Sequence, residues 1–167
     1  YNGAFLTICA QYELAIRELI EKYVDKLNIR IRIFNKLPTT IQRYYPIGCA
    51  KLLVRVGEKK FAHLTEQIIL QSLASCIDCS EKKPYIFIVD VFSYHDQNLD
   101  ASALEDIFST RLGINKLWIS LSHQPALNKL LGGNSASTIE KLARITLNNA
   151  ISNRNNVIHR GKNFYSV

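Results

Sequence analysis

No apolar run in this chain comes near the roughly 20 residues that a membrane span needs. The longest, such as Ile86-Phe87-Ile88-Val89 and Ile68-Ile69-Leu70, are a few residues each, so a soluble protein with no membrane partner is expected. Cysteine is sparse: Cys9, Cys49, Cys76 and Cys79 are spread through apolar context, and only Cys76 and Cys79 have ligand-like spacing. A structural zinc would need a second such pair or two histidines at short spacing, which His63, His95, His123 and His159 do not supply. No metal and no cofactor are therefore expected, and the thiols read as reduced and mostly buried. The opening at Tyr1 lacks a basic stretch, an apolar run and a small-residue cleavage site, so the expected location is cytoplasmic. There is no repeat, low-complexity tract or linker, and 47 % hydrophobic with 21 % charged residues over 167 positions suits one globular domain spanning 1–167. Acidic residues are absent from Lys141 onward, where Lys141, Arg144, Arg154, Arg160 and Lys162 stand. A net charge of +7 with that local excess favours a polyanionic partner, RNA before an acidic protein.

What the chain does have is helical periodicity. Apolar residues recur every three to four positions from Leu6 to Leu27, with Glu13–Arg17, Arg17–Glu21 and Glu18–Lys22 as candidate i,i+4 pairs on the exposed face. Asn28 to Leu37 alternates apolar and basic residues and is ambiguous between strand and helix. Pro38 and Pro46 punctuate what reads as a Tyr-rich connector, and helical spacing returns from Phe61 to Cys76. Tyr85 to Phe92 is short, β-branched and aromatic, which suits a small strand or an extended segment laid over helices. Asp100 or Ser102 can cap a helix running to about Leu112 before Gly113, and Lys116 to Leu131 follows as a helical region broken at Pro125 and closed by Gly132 and Gly133. Ser135 or Ser137 then caps a last helix whose stripe runs through Ile139, Leu142, Ile151 and Ile158. The fold class is all-α, a helical bundle with a short β or irregular segment near residues 85–92.

That last helix carries Arg154-Asn155-Asn156-Val157-Ile158-His159. At about 100° per residue Asn155 and His159 share a face, and Arg154 lies ~140° around from His159 but can reach back. The grouping suits RNA cleavage, because the nucleophile, a 2′-OH, is already beside the phosphodiester. A protein need only move protons and stabilise a charged phosphorane. His159 suits the proton work with a pKa of about 6.5. Arg154 suits the phosphate because its fork donates bidentately and keeps its charge, and Asn155 adds a hydrogen-bonding amide. Arg160, Lys162 and Asn156 extend the polar edge as candidate RNA contacts. One copy of the motif holds one histidine; a twofold homodimer packing its last helices together would supply the second.

An Arg-Asn-x-x-x-His motif on a final amphipathic helix of a basic helical domain resembles the HEPN superfamily. The layout from Leu99 through Gly113, the helix to Leu131 and the helix from Ile139 to His159 is similar to the RiboL-PSP-type HEPN proteins of bacteria, and the opening Cys9-Ala10-Gln11-Tyr12-Glu13 helix fits as well. The resemblance implies a HEPN-like bundle, a dimer with a composite cleft, and metal-independent endoribonuclease activity in the catalytic members through Arg154, Asn155 and His159. It also implies a toxin or phage-defence setting, with a cognate antitoxin or defence-system partner. Arg160 stands between His159 and Gly161 where many members have Gly directly after His. Two other readings share part of the pattern: a non-catalytic module for dimerisation and RNA or nucleotide binding, and an adaptor docking through the aromatic segment Tyr85–Tyr94.

Overall fold

The structure, a computed structural model, describes residues 2–95 and 98–162, the side chains of 159–162 excepted. The helices are α1 (Asn2–Arg30), α2 (Thr39–Leu53), α3 (Glu66–Ile77), α4 (Asp90–Ser93), α5 (Ala101–Glu105), α6 (Leu117–Ser122), α7 (Pro125–Leu131) and α8 (Ala136–Lys162). A π-helical turn, Asp106–Arg111, continues α5. There is no strand among the described residues, so the class is all-α. None of the described helices is long and apolar enough to cross a membrane. The chain divides into two compact units: residues 1–15, 95–109 and 114–167 form the first, residues 16–94 and 110–113 the second.

In the second unit α2 packs on α3 and α4. The stretch expected as a connector is a helix, because Ile41, Tyr44/Tyr45, Gly48/Cys49 and Leu52 recur at helical spacing and are all buried. Pro38 precedes its first turn, where a missing N–H costs nothing, and Pro46 lies inside at an exposed position. At Gly48 α2 lies close against α4: a Cβ there would collide with the Val91 side chain. Two other boundaries also differ from the sequence reading. The alternating Asn28–Leu37 stretch is not a strand; α1 runs to Arg30 and a 3-10 turn covers Phe34–Lys36. The helix expected from Phe61 begins at Glu66, where the Thr65 side chain accepts the Ile68 N–H at 3.2 Å.

Residues 84–88 form an irregular segment, and no strand pairs with it among the described residues. Side-chain hydroxyls take the place of a ladder. Ile86 N–H donates to Ser75 Oγ (2.9 Å), Ser72 Oγ donates to Ile86 O (2.6 Å), and Ile88 N–H donates to the Tyr45 hydroxyl (2.8 Å). Tyr45 completes the chain with a 2.5 Å bond to Ser72. Tyr85, Phe87, Phe92 and Tyr94 are all buried, with Phe87 against Tyr45 at 4.3 Å between centroids, so these aromatic rings are interior and do not form a docking surface, while Ile86 between them is exposed.

In the first unit α5, α6 and α7 pack against α8. Asp100 is the cap of α5, its carboxylate accepting the Ala103 N–H at 2.8 Å, while Ser102 lies within the helix. Gly132 closes α7 with a left-handed φ of 64°, a conformation that favours glycine. Ser135, not Ser137, caps α8 by accepting the Thr138 N–H at 3.2 Å. Ile139 and Ile151 on α8 are buried within the protomer.

Candidate functional site

The long α8 is held along its length by polar ties as well as apolar packing. Arg144 bridges Glu140 (3.1 Å) and Glu105 (3.0 Å) and lies over the Trp118 ring at 4.9 Å. Asn148 Oδ1 accepts the Ala101 N–H at 3.0 Å, tying the first residue of α5 to the helix. Six residues on, about 9 Å further along the axis, Arg154 makes the next tie, to the loop before α5: Nη1 donates to Asn98 Oδ1 at 2.9 Å. The same Nη1 lies 2.9 Å from Glu13 Oε1 on α1, with the two side chains 22 % and 30 % exposed.

This geometry fixes one end of the guanidinium and leaves the other available. Both partners meet Arg154 at Nη1, and neither Nε nor Nη2 bonds any described residue. Those two atoms form the edge that matches two oxygens of a phosphate. The pairing also neutralises charge locally: Arg144 and Arg154, two of the five cations from Lys141 onward, are matched by carboxylates. Beside Glu13, the half-buried Tyr12 donates to Leu99 O at 2.8 Å. Burial first, then the charges of Asp100 and Glu13, push its phenol above the usual range, so it remains a neutral donor.

Asn155 is half-buried and Asn156 exposed, and neither bonds a described residue. The backbone of α8 continues through His159, Arg160 and Lys162, while their side chains lie outside the described residues. Helix geometry places position 159 about 7.5 Å along the axis from 154. Glu13 and Asn98 were missed by the sequence reading. Glu13 was assigned to Arg17, which makes its other expected pair, with Glu21 at 3.2 Å, and also meets Asp90 at 3.3 Å. A signal was present: Cys9, Tyr12/Glu13, Ile16 and Ile20 form one stripe of α1, and an acid within an apolar stripe faces inward. Asn98, in a loop between elements, carries no such periodicity.

The RiboL-PSP-HEPN family model matches residues 1–166. The chain belongs to the RiboL-PSP-HEPN family, in agreement with the all-helical fold and the motif on its last helix. No curated protein and no solved structure matches it at a significant level. Family membership supports a nuclease or RNA-binding role in general.

Proposed function

We propose that the protein is a metal-independent endoribonuclease in which Arg154, Asn155 and His159 act on a phosphodiester. The observation that carries this is the Arg154 guanidinium, anchored at Nη1 by Glu13 and Asn98 with its Nε/Nη2 edge unengaged among the described residues. A guanidinium fixed in this way stabilises charge as it develops on the phosphorane without having to reorganise. An imidazole removes the 2′-OH proton as the oxygen attacks phosphorus, and a second imidazole protonates the departing 5′-oxygen, leaving a 2′,3′-cyclic phosphate and a 5′-OH. A homodimer with a composite cleft supplies two copies of His159 for those two steps. Arg160, Lys162 and Asn156 contact the flanking RNA. A cytoplasmic toxin or phage-defence effector, restrained by a cognate antitoxin or partner, is the setting consistent with the family.

The test is single-turnover cleavage of a labelled RNA in chelator. His159→Ala and Arg154→Ala should each lose about 10²–10⁴-fold in rate, with helix content and oligomeric state unchanged. RNA binding without any turnover by the unaltered protein would instead identify a non-catalytic binding module.

A further inference from the structure

A second concentration of positive charge lies far from the motif in sequence. Residues 26–57 hold Lys26, Arg30, Arg32, Lys36, Arg43, Lys51 and Arg55 with no acidic residue among them, and the other fourteen cations are matched by fourteen acids. That tract, all of it in the second unit, carries +7, against +5 for residues 141–167.

That tract shapes two clefts. The larger, about 360 Å³, is lined by Arg30, Ile31, Arg32, Ile33 and Lys36, with exposed Glu81 as its only acid. A second, about 260 Å³, is lined by Arg43, Tyr44, Ile47 and the hydroxyl residues Thr39, Thr40 and Thr110. Arg30, Arg32 and Lys36 lie past or at the end of α1, where cations often serve to satisfy the last carbonyls. None of the three makes such a bond to a described residue; the Tyr85 hydroxyl donates to Ile31 O at 2.6 Å, and the Ile31 N–H closes on Leu27 O at 2.8 Å. The three cations make no ion pair or hydrogen bond with any described residue, in contrast to Arg17, Arg55, Arg144 and Arg154, which all meet carboxylates. Unpaired like charges gathered in one concave site repel one another, and a bound anion relieves that repulsion.

We infer that the Arg30/Arg32/Lys36 cleft is an RNA-backbone site, distinct in sequence from the α8 motif, that binds phosphates of the strand. The inference rests on the ribonuclease reading for the choice of polyanion. A concave cleft edged by Ile31 and Ile33 suits a flexible single strand better than the flat face of an anionic membrane. Contacts to phosphate position the strand without reading its bases, so RNA and DNA strands are held alike.

The experiment measures binding of a labelled 20-nucleotide single-stranded RNA, and of DNA of the same sequence, to the full chain carrying His159→Ala, by fluorescence anisotropy across a salt series. Adding R30A/R32A/K36A should weaken both strands at least tenfold and lower the slope of log K against log[salt] by roughly 2, at about 0.7 per contact on a single strand. R30K/R32K, which keeps the charge, should retain the slope, and thermal melts should show both variants folded, since all three positions are exposed. Unchanged affinity and slope in the triple variant would overturn the inference. So would unchanged strand binding accompanied by lost binding to phosphatidylserine vesicles, which would assign the cleft to a membrane surface. The DNA arm is never cut, so failure of the ribonuclease reading and failure of this site are read separately.

Discussion

Replacing Glu13 with Gln tests whether the Arg154 guanidinium must be held in place to work. The substitution keeps the shape at Oε1 and removes the charge 2.9 Å from Nη1. Exposed ion pairs contribute about 0–1 kcal/mol and hydrogen bonds to charged groups about 1.5–3. With side chains 22 % and 30 % exposed, the pair lies between those limits, so a loss of about 1 kcal/mol is expected, discounted for solvent screening. For a chain of this size that lowers Tm by about 2–4 °C. The effect on activity should be larger than the effect on stability suggests. Arg154 would retain Asn98 as its one described anchor, and misplacement by ~1 Å can cost about 10²-fold in rate. Glu13→Gln should therefore lower kcat by 10–100-fold with little change in KM, because the fixed orientation matters in the transition state rather than for capture of the strand. Asn98→Ala, which leaves the carboxylate in place, should cost less. Single-turnover and steady-state cleavage rates, measured beside urea unfolding, make the comparison. If Glu13→Gln cleaves as fast as the unaltered protein, or faster because a competitor for the phosphate has gone, Glu13 does not position Arg154 for catalysis.

Removing the two terminal cations by Arg160→Ala with Lys162→Ala should weaken RNA binding and lower the salt slope by roughly 1.4 for a single strand; an unchanged slope places the RNA elsewhere. Gly48→Ala should destabilise by about 1–2 kcal/mol, because the new methyl meets Val91 and lies 3.2 Å from the Tyr44 ring, outweighing the helix-propensity gain. A raised Tm would show that α2 and α4 can separate freely. Burial raises the Cys49 thiol to about 11 and Cys76 to about 12 from 9.0. Above pH 9 the unfolded chain loses these protons while the folded one keeps them, so stability should fall as pH rises from 9 toward 12. Urea midpoints that stay flat over that interval would contradict the burial of both thiols.

Much of this fold was legible because its helices follow their apolar periodicity and carry orthodox caps. Asp100, Gly132 and Ser135 end or begin elements where their chemistry requires. The errors have specific physical causes. The two prolines and paired tyrosines of residues 38–46 look like a connector, but burial of Ile41, Tyr44, Tyr45, Gly48 and Cys49 on one stripe outweighs the single hydrogen bond lost at Pro46. The aromatic segment near residue 86 has strand composition, yet side chains of Tyr45, Ser72 and Ser75 on two preceding helices satisfy its backbone, which no local pattern announces. The motif on α8 was legible as spacing, whereas the anchoring of Arg154 was not, because Glu13 and Asn98 lie 141 and 56 residues away. The basic tract of residues 26–57 was visible in the sequence but divided among a helix, a turn and an unrecognised helix, which hid its continuity.

The central claim, that the motif cuts RNA through its own 2′-OH, is tested most directly with a substrate carrying one 2′-deoxy nucleotide immediately before a mapped scissile phosphate. In chelator, the all-ribo RNA should yield a 2′,3′-cyclic phosphate and a 5′-OH at that bond, and the deoxy-substituted RNA should remain uncut there while still binding. Cleavage at the deoxy position, or activity that appears only on adding a divalent metal, would contradict the roles assigned to Arg154 and His159.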